Sequence, residues 1–115
     1  MVYDSSMEIS FAGPKLESVC GQHKLAAKEI GALSAKKLQL RLAELFAAES
    51  VKELVAGRPH PLTHDRFGQF AVDLHGGHRL IFKPTRQPPP MLSDGGIDWS
   101  SVTEITITEI GDYHG

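Results

Sequence analysis

A change of hydrophobic period halfway along the chain constrains the fold more than any other feature. Between residues 14 and 46 apolar side chains recur at helical spacing; from residue 68 they alternate with period two. Leu16, Val19, Cys20, Ala27 and Ile30 predict a first amphipathic helix from Pro14 to near Gly31. Gly21 weakens its middle by roughly 1 kcal/mol relative to Ala. Ser34 suits the N-cap of a second helix, whose apolar stripe is Ala35, Leu38, Leu42, Leu45 and Phe46. Lys36, Lys37, Arg41 and Glu44 fall on its opposite face. Two helices joined by so short a link predict an antiparallel hairpin. Ser50, with Glu53 three residues on, resembles a capping box for one last turn, and Gly57, Pro59 and Pro61 end all helix.

Strand signals flank these helices. Ile9 and Phe11 alternate within residues 8–12, before the break at Gly13-Pro14. Phe70, Val72 and Leu74 alternate within 68–74, and His75-Gly76-Gly77-His78 supplies a tight turn. Residues 79–82 return, stopped by Pro84; residues 86–100 form a Pro- and Gly-rich loop; residues 102–110 make a Thr- and Ile-rich last strand. Trp99 and Met91 are expected to pin that loop, and Cys20 to sit in the core. The order β-α-α-β-β-β predicts an α+β fold, with an N-terminal strand and a helical hairpin packed on a small, mainly antiparallel sheet. The first strand either pairs with the last or lies beside the meander. At 115 residues the chain fits one domain, expected over 7–115. Residues 1–6 read as a disordered leader, with Met7 an alternative start.

The single Cys20 excludes an internal disulfide and a Cys-rich zinc site. No apolar run approaches the roughly 18–20 residues of a membrane span, so a soluble, cytoplasmic protein with no membrane partner is expected. A net charge of −2 argues against a nucleic-acid partner only until it is resolved by position. Residues 1–51 are neutral, residues 52–86 carry +3 together with four of the six histidines, and residues 87–115 carry −5. The basic middle and acidic tail point to a localised anion site. Pairs such as His60-x3-His64 and His75-x2-His78 have ligand-like spacing for a metal, but a zinc cage needs further ligands.

The segments MEISF, HPLTHDRFGQFAVDLHGGHRLIF, DGGIDW and EITITEIGDYHG, in this order around two helices, resemble the HigB-like branch of the RelE/ParE toxin superfamily, also called plasmid-maintenance killer proteins. The resemblance spans about residues 7–115. Three pieces carry it: HPL at 60–62, HRLIF at 78–82 and EIGDYHG at 109–115. It implies the toxin of a type II toxin–antitoxin pair, an mRNA endonuclease acting in the ribosome without a metal or other cofactor. It implies a HigA-like helix-turn-helix antitoxin as partner, so that DNA is met only through the antitoxin. The ParE branch acts instead on DNA gyrase, and a relative without activity would serve only as an antitoxin-bound co-repressor; the Tyr113-His114 ending favours the mRNA-cutting side.

Metal-free RNA cleavage uses the 2′-OH as nucleophile, which also selects RNA over DNA. It needs a base, a cation for the charged phosphorane and an acid for the 5′-oxygen. Arg79 matches the family's active-site arginine, and its planar fork fits phosphate oxygens. His114 matches the terminal histidine and titrates near neutral pH; the acidic strand before it is expected to raise its pKa. Tyr113 is placed to stack on a base or donate from its hydroxyl. His60, the histidine of HPL, is an acid/base candidate or a loop anchor. Arg66, His64 and Lys83 are expected to contact RNA. Where relatives often carry lysines, this chain has Thr63 and Phe67, which predicts weaker electrostatic attraction to the ribosome.

Overall fold

The pleat of one sheet organises the molecule: its apolar side chains point to the helices and its charged ones point away. The computed structural model describes residues 7–112. The proposed leader, Tyr113 and His114 lie outside them. The described chain runs β1 (Glu8–Phe11), α1 (Pro14–Gly21), α2 (His23–Ile30), α3 (Ala32–Ala47), β2 (His60–Pro61), β3 (Phe70–Asp73), β4 (His78–Pro84) and β5 (Glu104–Asp112). Short 3-10 turns occupy Val51–Glu53, His64–Arg66 and Trp99–Ser101. The sheet order is β1-β5-β4-β3-β2, with β1 parallel to β5 and all other pairs antiparallel. This is the expected α+β architecture, and β1 takes the first of its two expected places, beside the last strand.

Leu80, Phe82, Ile105 and Ile107 are fully buried, and with Phe70 and Val72 they meet Leu38, Leu42 and Leu45 of α3 and Val19 of α1 in one core. Phe70 and Phe82 stack across neighbouring strands, ring centres 5.4 Å apart. Burying each such side chain contributes on the order of 1.5–3 kcal/mol. Met7, the first described residue, is 2% exposed and its N–H donates to the Ala48 carbonyl at 3.0 Å.

Several local expectations change. The single helix over 14–31 is two. Gln22 leaves helical geometry at φ −128°, capping α1 through its N–H to Ser18 and starting α2 through its carbonyl to Ala26. The break lets α1 lie on β1 and β5 while α2 packs along α3. α3 starts at Ala32, not at a Ser34 cap; Gly31 takes the junction at φ +89°, which favours glycine. Ser34 sits inside the first turn and donates its hydroxyl to the His75 carbonyl at 3.0 Å, tying α3 to the β3–β4 turn. Its oxygen lies 2.8 Å from His78 Nδ1, which then carries the hydrogen. The turn after Ser50 forms, but no Ser50 hydroxyl bond caps it; Glu53 accepts the Glu49 N–H instead. Phe46 is half exposed, whereas Arg41, expected on the solvent face, is 7% exposed. The two-residue strand β2 had no period to announce it.

The last strand holds a β-bulge. Ile81 pairs with Glu109 and Phe82 with Ile107, leaving Thr108 as the extra residue, its hydroxyl on the Ile81 carbonyl at 3.2 Å. The step of three between Ile107 and Ile110 is its trace in the sequence. The bulge keeps both isoleucines toward the core and turns Glu109 to the opposite face. The long loop is held as expected at Trp99, whose ring lies 4.8 Å from that of Phe70. Met91 joins only through a backbone bridge to Ile97, its side chain half exposed. Among the described residues no helix is long and apolar enough to cross a membrane.

Candidate functional site

Strand register sets which side chains share the face turned away from the helices. Cross-strand partners point to the same side. His60, Ala71, Ile81 and Glu109 form one row across β2-β3-β4-β5, and Asp73, Arg79 and Gly111 form the next. Lys83, two pleats along β4 from Ile81, falls on this face too, about 13 Å from Arg79 along the strand. The sheet therefore offers one face to packing and the other to charge.

Asp73 is the hub of that charge. Its carboxylate oxygens are divided between two guanidiniums: Arg58 Nε donates to Oδ2 at 2.7 Å, and Arg79 Nε lies 3.5 Å from Oδ1. Oδ1 is buried and accepts no hydrogen bond. The backbone of the same residue is also engaged, its N–H donating to the Gly57 carbonyl at 2.7 Å and its carbonyl accepting from Arg41 Nε at 3.1 Å. Arg41 is neutralised inside the protein by Glu44, at 2.8 and 3.1 Å. Gly57, at φ +81°, lies directly over Arg41; a Cβ there would stand 2.6 Å from Nε. Only glycine fits that approach.

Arg58 has φ +48°, an unusual conformation for a residue with a side chain. Three bonds hold the segment in place: Gly57 to Asp73 through the backbone, Arg58 Nε to the carboxylate, and the Arg58 carbonyl to His60. Hydrogen bond and charge from Asp73 hold the Arg58 guanidinium above its already high ordinary pKa. His60 Nδ1 donates to the Arg58 carbonyl at 2.7 Å. A carbonyl only accepts, so neutral His60 carries its hydrogen on Nδ1 and leaves Nε2 as a bare lone pair.

Arg66 comes from the loop between β2 and β3, which folds back so that its Nη2 donates to Glu109 Oε1 on β5, two strands away from β3. His64 stands on the same loop, exposed, at φ +58°. Lys83 is exposed. Of the residues singled out from the sequence, Arg79, His60 and Arg66 thus meet on one face; His64 and Lys83 lie at the surface with no bond to the Asp73 cluster. Asp73, Arg58 and Glu109 were not singled out. Their signals were faint: Asp73 is a polar residue on an alternating strand, and Glu109 is shifted only by the bulge. No three His, Cys, Asp or Glu side chains among the described residues converge as a metal ion requires. Of the paired histidines weighed as ligands, His60 and His78 each spend Nδ1 on a protein oxygen.

No protein-family model matches the chain, and no curated protein matches it. Solved structures do. A YoeB/ParE toxin from Agrobacterium tumefaciens superposes with a TM-score of 0.59 at 11% identity, over 94% of this chain and 100% of that one. A YoeB dimer from Staphylococcus aureus gives 0.54 at 17% identity, over 96% and 99%. A YoeB–YefM complex from the same organism gives 0.54 at 16%, over 95% and 98%. At such identities the likeness is one of fold, and it extends over nearly the whole length of each chain.

Proposed function

We propose that the chain is a toxin of the RelE/ParE superfamily, a HigB-like ribosome-dependent mRNA endonuclease silenced by a cognate antitoxin. One observation carries the reading: on a fold it shares with toxins, the sheet face free of helices gathers Arg58, Arg66, Arg79 and His60. These are the residue types that metal-free RNA cleavage needs; strand register places Arg79 and His60, and ion pairs with Asp73 and Glu109 hold Arg58 and Arg66. An antitoxin partner draws on the likeness to a YoeB–YefM complex; a HigA-like helix-turn-helix antitoxin remains the reading from sequence.

In this mechanism a base takes the proton of the 2′-OH, the 2′-oxygen bonds to phosphorus, and the bond to the 5′-oxygen breaks. His60 Nε2 is the bare nitrogen suited to the first proton. Arg79 stabilises the phosphorane charge, its orientation set by Asp73. His114 returns a proton to the 5′-oxygen and Tyr113 stacks on a base, both as assigned by the resemblance to HigB. Arg66, His64 and Lys83 contact the RNA backbone. No metal is required.

Induced expression without antitoxin should stop growth and leave new 5′ ends within translated mRNAs. Arg79→Ala, or removal of residues 113–115, should abolish both. Cleavage unchanged by both would sink the reading. Gyrase-linked DNA damage in place of mRNA cleavage would move the protein to the ParE side, and binding of antitoxin and operator without toxicity would make it a co-repressor.

A further inference from the structure

At the β2 edge of the sheet lies an apolar pocket of about 260 Å³. Its walls come from two segments far apart in sequence: Pro61, Leu62, Thr63 and Phe67 from β2 and the loop after it, and Ile97 and Trp99 from the long loop before β5. The remaining lining is glycine, and no charged side chain takes part. The space is smaller than the roughly 300–1,000 Å³ of pockets for drug-sized ligands, and it suits a single flat ring system. Both aromatic walls are anchored. The Trp99 ring leans on Phe70, centres 4.8 Å apart. Phe67 follows the 3-10 turn at His64–Arg66, its N–H donating to the His64 carbonyl at 3.1 Å, and two residues on the Gln69 N–H donates to the Arg66 carbonyl at 3.1 Å. Yet the Phe67 side chain is 58% exposed. A single exposed apolar residue is ordinary. A ring with a fixed backbone beside an apolar pocket with a second aromatic wall offers a stacking surface.

We propose that this pocket receives one nucleobase of single-stranded RNA, stacked on Phe67 and walled by Trp99. Every base has a π-face, and single strands are recognised through bases splayed out onto aromatic side chains. The surroundings match such a ligand. The Phe67 loop lies within residues 52–86, which carry +3 and attract the phosphates, while the lining itself is uncharged and takes the base. The pocket is also continuous with the candidate site. His60 and Pro61 are successive residues of the edge strand, so they face opposite sides: His60 pairs with Ala71, and Pro61 with Phe70 on the pocket side. A strand crossing the charged face at His60 reaches the pocket by passing over β2, the last strand of the described sheet. The base is then that of a nucleotide flanking the cleaved phosphate, and Phe67 helps to set which codons are cut. That placement rests on the endonuclease reading; binding of a base does not.

The test uses the whole chain and the fluorescence of Trp99, its only tryptophan. Short single-stranded RNA oligomers are titrated in beside an abasic oligomer of the same length, and mRNA cleavage is measured on programmed ribosomes. RNA should quench Trp99 saturably, and the abasic strand should not. Phe67→Leu, which keeps an apolar side chain but removes the ring, should weaken RNA binding about tenfold and leave abasic binding unchanged; Phe67→Tyr should recover most of the affinity. In the cleavage assay Phe67→Leu should raise KM and level the preference among codons. Quenching that is absent, or equal for RNA and the abasic strand, overturns the proposal. So does a folded Phe67→Leu protein that binds RNA as the unmodified chain does; if that variant instead loses affinity for the antitoxin, the pocket belongs to a protein partner. Base-dependent quenching that Phe67→Leu weakens, without cleavage by the unmodified protein, upholds the base pocket and overturns only the endonuclease reading.

Discussion

The two faces of β3 and β4 are built from alternate residues of the same segments, yet they obey different rules. On the helix side Phe70, Val72, Leu80 and Phe82 interdigitate with α3, and their positions are set by volume. On the other side Asp73, Arg79 and their neighbours are set by direction: which nitrogen meets which oxygen. Burial does not separate the faces, since Ala71 and Ile81 are as hidden as Leu80. What separates them is redundancy. A core methyl group has many partners and its loss is a loss of stability. A guanidinium on the charged face has few partners, and its loss leaves the scaffold standing.

Substitutions on each side test that division. Phe82→Ala should destabilise the fold by about 3–5 kcal/mol, read by chemical denaturation, and remove activity by unfolding. Arg79→Ala should cost less than about 1 kcal/mol of stability, being a partly exposed ion pair, while lowering cleavage on the order of 10²–10³-fold. A large loss of stability from Arg79→Ala would erase the distinction between the faces. Arg66→Ala should weaken RNA binding more modestly and lower its salt slope by about one; Glu109→Gln, which frees Arg66 from its carboxylate, should strengthen binding at low salt.

Two smaller effects sharpen the boundary. Asp98 is held below the ordinary carboxylate pKa, first by the Ser100 hydroxyl at 2.5 Å and then by that of Ser101 at 2.8 Å. Its folded pKa is depressed, so the stabilisation is present above the unfolded value and is lost as pH falls through the folded one. Trp99 fluorescence should therefore report loosening of the loop below about pH 4, before the core unfolds. Burial pushes the Cys20 thiol up to about 11. It should resist alkylation at pH 8 until denaturant opens the fold, the rate tracking unfolding.

The division between the faces also explains what was legible beforehand. The core face follows from period, and the inward positions of Phe70, Val72 and Leu74 were evident from alternation alone. Arg79 and His60 stood out because they match, respectively, the active-site arginine and the HPL histidine of the family the sequence resembles. Arg41 misled, because helical spacing placed it with the lysines; its burial depends on Asp73 and Gly57, 32 and 16 residues away. Asp73 itself had no local mark, since its importance lies in which loops return to it.

By itself the sequence determined the class of fold, the split between helical and strand halves, and the inventory of cations in its middle third. These depend on periods and residue types, which act over one or two turns of chain. Only the tertiary structure decided which cations become neighbours, which tautomer His60 adopts, and that a bulge at Thr108 brings Glu109 to meet Arg66. Those outcomes depend on hydrogen-bond directions between segments far apart in sequence, and no local pattern encodes a direction between elements before they pack.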